Sequence, residues 1–127
     1  MDGPLDGVQV LEVANWLAGP TTAALLSDMG ASVVKVDPPS GDSWRGYVST
    51  QVGSGEAAVA RNWGFEMDNR GKRSITVNLD RPEGRTVVHR LAARADVFIT
   101  NLSPSRAERY VLTYAVLAAR NQRLIYA

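Results

Sequence analysis

Apolar positions along the chain follow two rhythms that alternate. Residues 8–13, VQVLEV, are apolar and β-branched and predict a buried strand. The next stretch, AGPTTAALLSDMGA, changes period. Thr22, Leu25, Leu26 and Met29 recur at helical spacing and predict one apolar helix face. Pro20 suits the first helical turn, where its missing N–H costs nothing. Gly30 suits the end of the helix, because glycine takes positive φ without a Cβ clash. SVVKVD, residues 32–37, predicts a second strand, and PPSGD stops it. A strand, a helix and a strand imply a parallel pair joined by a right-handed crossover.

The same rhythm returns further on. SITVNL, residues 74–79, predicts a third strand, and RPEGRTVVHRLAARA a helix behind it. Pro82 lies near that helix start and Glu83 in its first turn, where the helix dipole favours an acid. Val87, Val88, Leu91, Ala92 and Ala95 form its expected buried stripe. DVFIT predicts a fourth strand, ending in Asn101. Ser103 and Pro104 read as an N-cap and a first helical residue. A further helix is expected over about residues 113–120, and RLIYA is strand-like. The whole is an α/β pattern: a Rossmann-like open, mostly parallel sheet flanked by helices. A final strand with no covering element after it suits either a sheet edge or the front part of a longer fold.

Residues 38–65 have no clear period. They hold Gly41, Gly46, Gly53, Gly55 and Gly64, with Trp44, Tyr47 and Trp63 between them. A connection this long inside a compact domain is usually functional or disordered.

Composition narrows the function classes. A chain of 127 residues suffices for one domain with a modest core. A net charge of +1 argues against general nucleic-acid binding, which needs a broad basic surface. With no cysteine and one histidine, a disulfide framework, a thiol nucleophile and Cys- or His-rich metal sites are excluded. No apolar run is long enough for a bilayer span. MDGPLDG lacks the basic and apolar regions of a secretory signal. No membrane or nucleic-acid partner is therefore expected, and the expected location is cytoplasmic.

Ligands of open α/β sheets sit beyond the carboxyl ends of the strands. Segments 14–20, 37–44, 78–82 and 101–104 should meet there. The densest positive charge lies elsewhere, in EMDNRGKRSITV, where Arg70, Lys72 and Arg73 enter the third strand at its amino end. They would reach a carboxyl-end site only if that strand were antiparallel or the long segment wrapped around. Dinucleotide binding fits Asp37 at the end of strand two. It does not fit VANWLAGP, which has one glycine where the fingerprint needs three. A ligand with several phosphates and an apolar part could use Arg70, Lys72, Arg73 and Arg109. A solvated charge cluster is the competing reading. His89 falls on the polar side of its helix and reads as a surface histidine. Asp37 and Asp42 are a weak signal for acid–base chemistry.

Five blocks, in this order, carry a resemblance: PLDGVQVLEV with LAGP, LLSDMGASVVKVDPPSGD, NRGKRSITVNLDRPEGR, ADVFITNLSP and AERY. Together the chain resembles the amino-terminal part of the class III CoA-transferases, the CaiB/BaiF family. That resemblance implies that residues 1–127 are a CoA-binding, incomplete part of the family's large domain. It implies coenzyme A, as acyl-CoA substrate, on Trp16, Leu17, Asn69, Lys72, Arg73, Asn101, Leu102 and Arg109, with no metal. The implied reaction moves CoA between an acyl-CoA and a carboxylic acid through an aspartate nucleophile. The family places that aspartate downstream, so no catalytic residue is expected here and the isolated chain should be inactive. Two full-length copies would interlock as a homodimer. A racemase-type member, a non-catalytic CoA- or partner-binding module and half of a split enzyme are the alternatives. Three departures bear on the site. Pro38 stands where some members have a cation, Leu102 replaces a phenylalanine, and RYVLT replaces RLGLG.

Overall fold

The computed structural model describes residues 3–47, 50–52 and 59–127. Gly53 and Gly55 lie outside the described residues. Strands β1 (Gln9–Val13), β2 (Ser32–Asp37), β5 (Arg73–Thr76), β6 (Val97–Thr100) and β7 (Ile125–Tyr126) form one sheet, in the order β5-β2-β1-β6-β7. Every pairing in it is parallel. The strands are joined by helices α1 (Ala18–Asp28), α3 (Pro82–Ala92), α4 (Pro104–Arg109) and α5 (Tyr114–Ala118). Alternation along the strands sends side chains into two layers. Leu11, Val13, Val36 and Phe98 meet Val88, Ala92, Leu112, Leu117 and Leu124 on one face. Val10, Val33 and Ile99 meet Ala23 and Ala31 on the other.

Both long helices bury a face slightly rotated from the one expected. In α1 the buried residues are Gly19, Pro20, Ala23 and Ala24, whereas Leu25 and Met29 are exposed. Small residues win because the helix lies close to the chain leaving β1. A Cβ on Gly19 would stand 2.5 Å from the Cβ of Ala14. In α3, Val88 and Ala92 face the sheet four residues apart, which turns Val87 outward. Gly30 follows the end of α1 at φ 103°, in the left-handed region glycine favours.

The segment after β2 is not a bare loop. It contains a 3₁₀ turn at Ser43–Gly46, an antiparallel ribbon of β3 (Thr50–Val52) and β4 (Val59–Arg61), and helix α2 (Trp63–Asp68). Asp42 caps the turn by accepting from Trp44 N at 2.9 Å, and Asn62 caps α2 by accepting from Phe65 N at 2.9 Å. Helix α2 packs on α1, so the segment wraps over the α1 face of the sheet.

Candidate ligand crevice at the carboxyl ends of the strands

The chain runs from β1 outward to β2 and β5, then crosses back to β6 on the other side of β1. The strand order therefore reverses between β1 and β6, and a crevice opens there at the carboxyl ends. The Asn101 side chain closes the floor of this split. Its Oδ1 accepts from Asn15 N at 3.1 Å and its Nδ2 donates to Asn15 O at 2.6 Å. The next residue, Trp16, has φ 66°, a left-handed conformation rare for a bulky side chain. Its ring is half exposed and lies 5.7 Å from that of Trp44, which stacks on Tyr47 at 5.1 Å. Leu17 beside it is also exposed.

A cavity of about 350 Å³ adjoins this turn, with a wall that includes Ala14, Asn15, Pro38, Leu79, Leu102 and Tyr110. Arg106 lines it, and Arg109 stands one helical turn further along α4. The Arg109 Nη2 lies 2.6 Å from Asp80 Oδ1, and both side chains are more than half exposed. A wall of mixed apolar and polar residues, which also includes Ser40, Asn78 and Asp80, with exposed cations beside it suits a ligand with apolar and phosphate parts. A shallower apolar depression of about 520 Å³ runs along α3 beside Val87, Leu91 and Arg94. It is remote from the carboxyl ends and has no convergent polar groups.

The eight residues named from the sequence fall into two groups. Trp16, Leu17, Asn101, Leu102 and Arg109 gather around the crevice. Asn69, Lys72 and Arg73 do not. Because β5 runs parallel to β2, with Arg73 opposite Val34, the basic stretch enters at the amino end of the sheet. Its cations each have a partner there or in the interior. Arg70 Nε donates to Asp28 Oδ1 at 3.1 Å. Arg73 Nη2 donates to Ser32 Oγ at 2.8 Å. Lys72 turns inward, and its ammonium meets Glu12 Oε2 at 2.7 Å, Pro20 O at 2.8 Å and Asn69 Oδ1 at 3.3 Å. Asn69 is itself tied to α2 through Phe65 O at 2.9 Å. His89 is half-buried, and its Nε2 donates to Val111 O at 2.7 Å.

Sequence reading passed over Glu12, Lys35 and Asp80, and took Asp42 only as a weak acid–base signal. Glu12 and Lys35 are register partners and almost fully buried. Lys35 Nζ lies 2.8 Å from Glu12 Oε1, 2.9 Å from Asp42 Oδ2 and 3.9 Å from Asp37 Oδ1. Burial pulls the Lys35 pKa down, but the neighbouring Glu12 and Asp42 carboxylates reverse this and hold it above the usual 10.5. For Lys72 burial wins over Glu12, and its pKa falls below 10.5. The signal was visible in the sequence: VLEV and VVKVD each place one charge inside an apolar strand. A strand covered on both faces tolerates a charge only beside a counter-charge. Among the described residues no helix is long and apolar enough to cross a membrane, and no cluster of acids, His or Cys is arranged to hold a metal.

A five-stranded parallel sheet flanked by helices, with a crevice at its topological switch point, defines an open α/β domain. The model of CoA-transferase family III matches residues 5–127, and the chain belongs to that family. It is 41% identical over 124 residues to succinate–glutarate CoA-transferase of Agrobacterium fabrum, covering 97% of this chain and 31% of that protein. It is 36% identical over 122 residues to the succinyl-CoA–L-malate CoA-transferase alpha subunit of Chloroflexus aurantiacus, covering 96% of this chain and 28% of that subunit. A CaiB/BaiF family protein from Brucella suis superposes with a TM-score of 0.87 at 42% identity, covering 99% of this chain and 33% of that one. The chain thus spans about a third of the length of these relatives.

Proposed function

We propose that residues 1–127 supply the CoA-binding wall of an enzyme that moves coenzyme A between an acyl-CoA and a carboxylic acid. The observation that carries this reading is the crevice at the β1–β6 switch point, with mixed apolar and polar walls, Arg106 in its lining and Arg109 paired to Asp80 at its edge. Family membership and the names of the relatives support it. Trp16, Leu17, Asn101, Leu102 and Arg109 are the contacts favoured by position. Arg109 would exchange its Asp80 partner for a phosphate, since an exposed ion pair holds its members weakly. Asn101 acts by holding the Asn15 turn in place. The chain's part in the reaction is binding, and the nucleophilic aspartate belongs to the portion of the relatives that it does not match. The resemblance adds Asn69, Lys72 and Arg73 to the contact set, a cytoplasmic location, and two interlocked copies as the working form.

The test is calorimetric titration of coenzyme A into the purified protein at two salt concentrations. The wild type is compared with Arg109→Ala and Arg73→Ala. Salt-sensitive binding that Arg109→Ala weakens is the expected result. Loss of affinity in Arg73→Ala as well would bring the amino end of the sheet into the site. Binding absent from the folded protein would overturn the reading.

A further inference from the structure

Beneath the crevice lies a group of buried charges that ligand binding alone does not call for. Glu12, Lys35, Asp37 and Asp42 are almost fully shielded from solvent, and so is the side chain of Lys72. Burying ions is costly, and a well-packed apolar set of the same volume would often be more stable. What these charges provide is connection.

An ammonium has three donors. Lys35 donates hydrogen bonds to two acceptors on β1 and its exit and pairs with a third oxygen on the loop after β2. Glu12 Oε1 lies on β1 at 2.8 Å, Ala14 O lies in the turn leaving β1 at 2.8 Å, and Asp42 Oδ2 lies in the loop after β2 at 2.9 Å. The other oxygen of Asp42 accepts from Trp44 N at 2.9 Å and from Trp16 N at 3.4 Å. Trp16 is the residue with left-handed backbone, and such strain persists only where the surroundings over-determine it. Here three successive residues are held. Lys35 takes the Ala14 carbonyl, Asn101 takes both backbone groups of Asn15, and Asp42 takes the Trp16 N–H. Lys72 braces the same frame from behind, reaching the second oxygen of Glu12 and the Pro20 carbonyl in the first turn of α1.

We propose that Lys35 is a positioning residue for the crevice. Its buried ammonium ties β1, the Ala14–Trp16 turn and the Asp42 loop together. It thereby fixes the Ala14–Asn15 wall and the Trp16 backbone before a ligand arrives, setting Trp16 against a Trp44 indole whose Nε1 donates to Asp68 Oδ2 at 3.2 Å. The consequence for binding rests on reading the crevice as the coenzyme A site. The consequence for the ring pair does not.

The experiment reads both. Two indoles 5.7 Å apart and 41° from coplanar should give an exciton couplet in the circular dichroism spectrum, and Trp16→Phe identifies it by removing it. Lys35→Met alone leaves Asp42 uncompensated, whereas Glu12 keeps Lys72 at 2.7 Å, so the main variant is the charge-balanced double Lys35→Met, Asp42→Asn, which leaves the Glu12–Lys72 pair intact. Asp42→Asn alone is the milder second variant, since its amide oxygen can still accept from Trp44 N–H. The expected result is a folded double variant with no couplet and with coenzyme A affinity lower by about tenfold, the size expected when a few side chains must be ordered on binding. Asp42→Asn should weaken the couplet in the same direction. A couplet unchanged in Asp42→Asn, or retained in a folded double variant, would overturn the proposal. If the wild type does not bind coenzyme A, the function above fails, and the couplet still decides whether Lys35 positions the turn.

Discussion

Lys72 and Arg109 carry the same charge and both belong to the family's expected ligand contacts, yet the fold treats them in opposite ways. The Lys72 side chain is 2% exposed and meets three acceptors. Arg109 is 67% exposed and meets one acid on the rim of the crevice. A buried ammonium without partners would be intolerable, so Lys72 is committed to Glu12 and the first turn of α1. An exposed guanidinium gives up one partner for another at little cost. Depth, more than charge, decides which cation is available to a ligand. Lys35 belongs with Lys72 in this respect, and Arg106 with Arg109.

The largest effect that can break this contrast is on stability. Lys35→Met should cost about 3–5 kcal/mol, because it strands the buried Asp42 carboxylate. Arg109→Ala should change stability by less than about 0.5 kcal/mol, as for most exposed ion pairs. Urea unfolding of the two variants measures both. Similar midpoints would mean that water reaches Lys35 and that the division into buried and exposed cations is mistaken. On affinity the order reverses. Arg109→Ala should weaken coenzyme A binding by about 1.5–3 kcal/mol, or roughly ten- to a hundredfold, as for a charged hydrogen bond. It should also flatten the salt dependence seen by calorimetry.

How much of this was legible follows from which forces act locally. The α/β order was readable because VQVLEV, SVVKVD and DVFIT are short, mainly apolar and β-branched runs, as parallel strands buried on both faces require. The inward face of α1 was not. Periodicity picked the larger Leu25 and Met29, whereas close approach to Ala14 selected Gly19 and Ala23. The positive stretch Arg70–Arg73 drew attention by density alone. Its separation into Asp28, Glu12 and Ser32 partners depends on contacts more than 40 residues away, which no local pattern encodes. Asp42 looked like one of two loop acids. Its capping of Trp44 is local, but its ion pair with Lys35 needed the sheet to be built first.

The two buried lysines also differ from each other, and alkaline pH separates them. Lys35 holds its proton more tightly when folded than when unfolded. Its contribution is complete below 10.5 and is lost as pH rises through its raised folded value. Lys72 holds its proton less tightly when folded. Between its lowered value and 10.5 the unfolded chain binds more protons, so this group adds stability as pH rises. Urea midpoints measured from neutral pH to 10.5 should therefore rise less steeply, or fall more steeply, in Lys72→Met than in the wild type. Parallel profiles would show that Lys72 titrates as it does in water.

The smallest expected effect concerns the acid opposite Arg109. Asp80 lies 2.6 Å from the guanidinium at the crevice rim, and a phosphate would have to displace it. Asp80→Asn removes the competing charge and leaves the side chain's size almost unchanged. Coenzyme A affinity should rise by about 0.2–1 kcal/mol, the range of an exposed ion pair. The gain should shrink as salt screens the pair. The double variant Asp80→Asn, Arg109→Ala is the decisive arm. With the guanidinium gone, the Asp80 charge has nothing to compete for, so its removal should give a smaller gain than in the wild type. An equal gain in both backgrounds would mean that Asp80 repels the ligand directly and that Arg109 is not the rim cation that receives the phosphate.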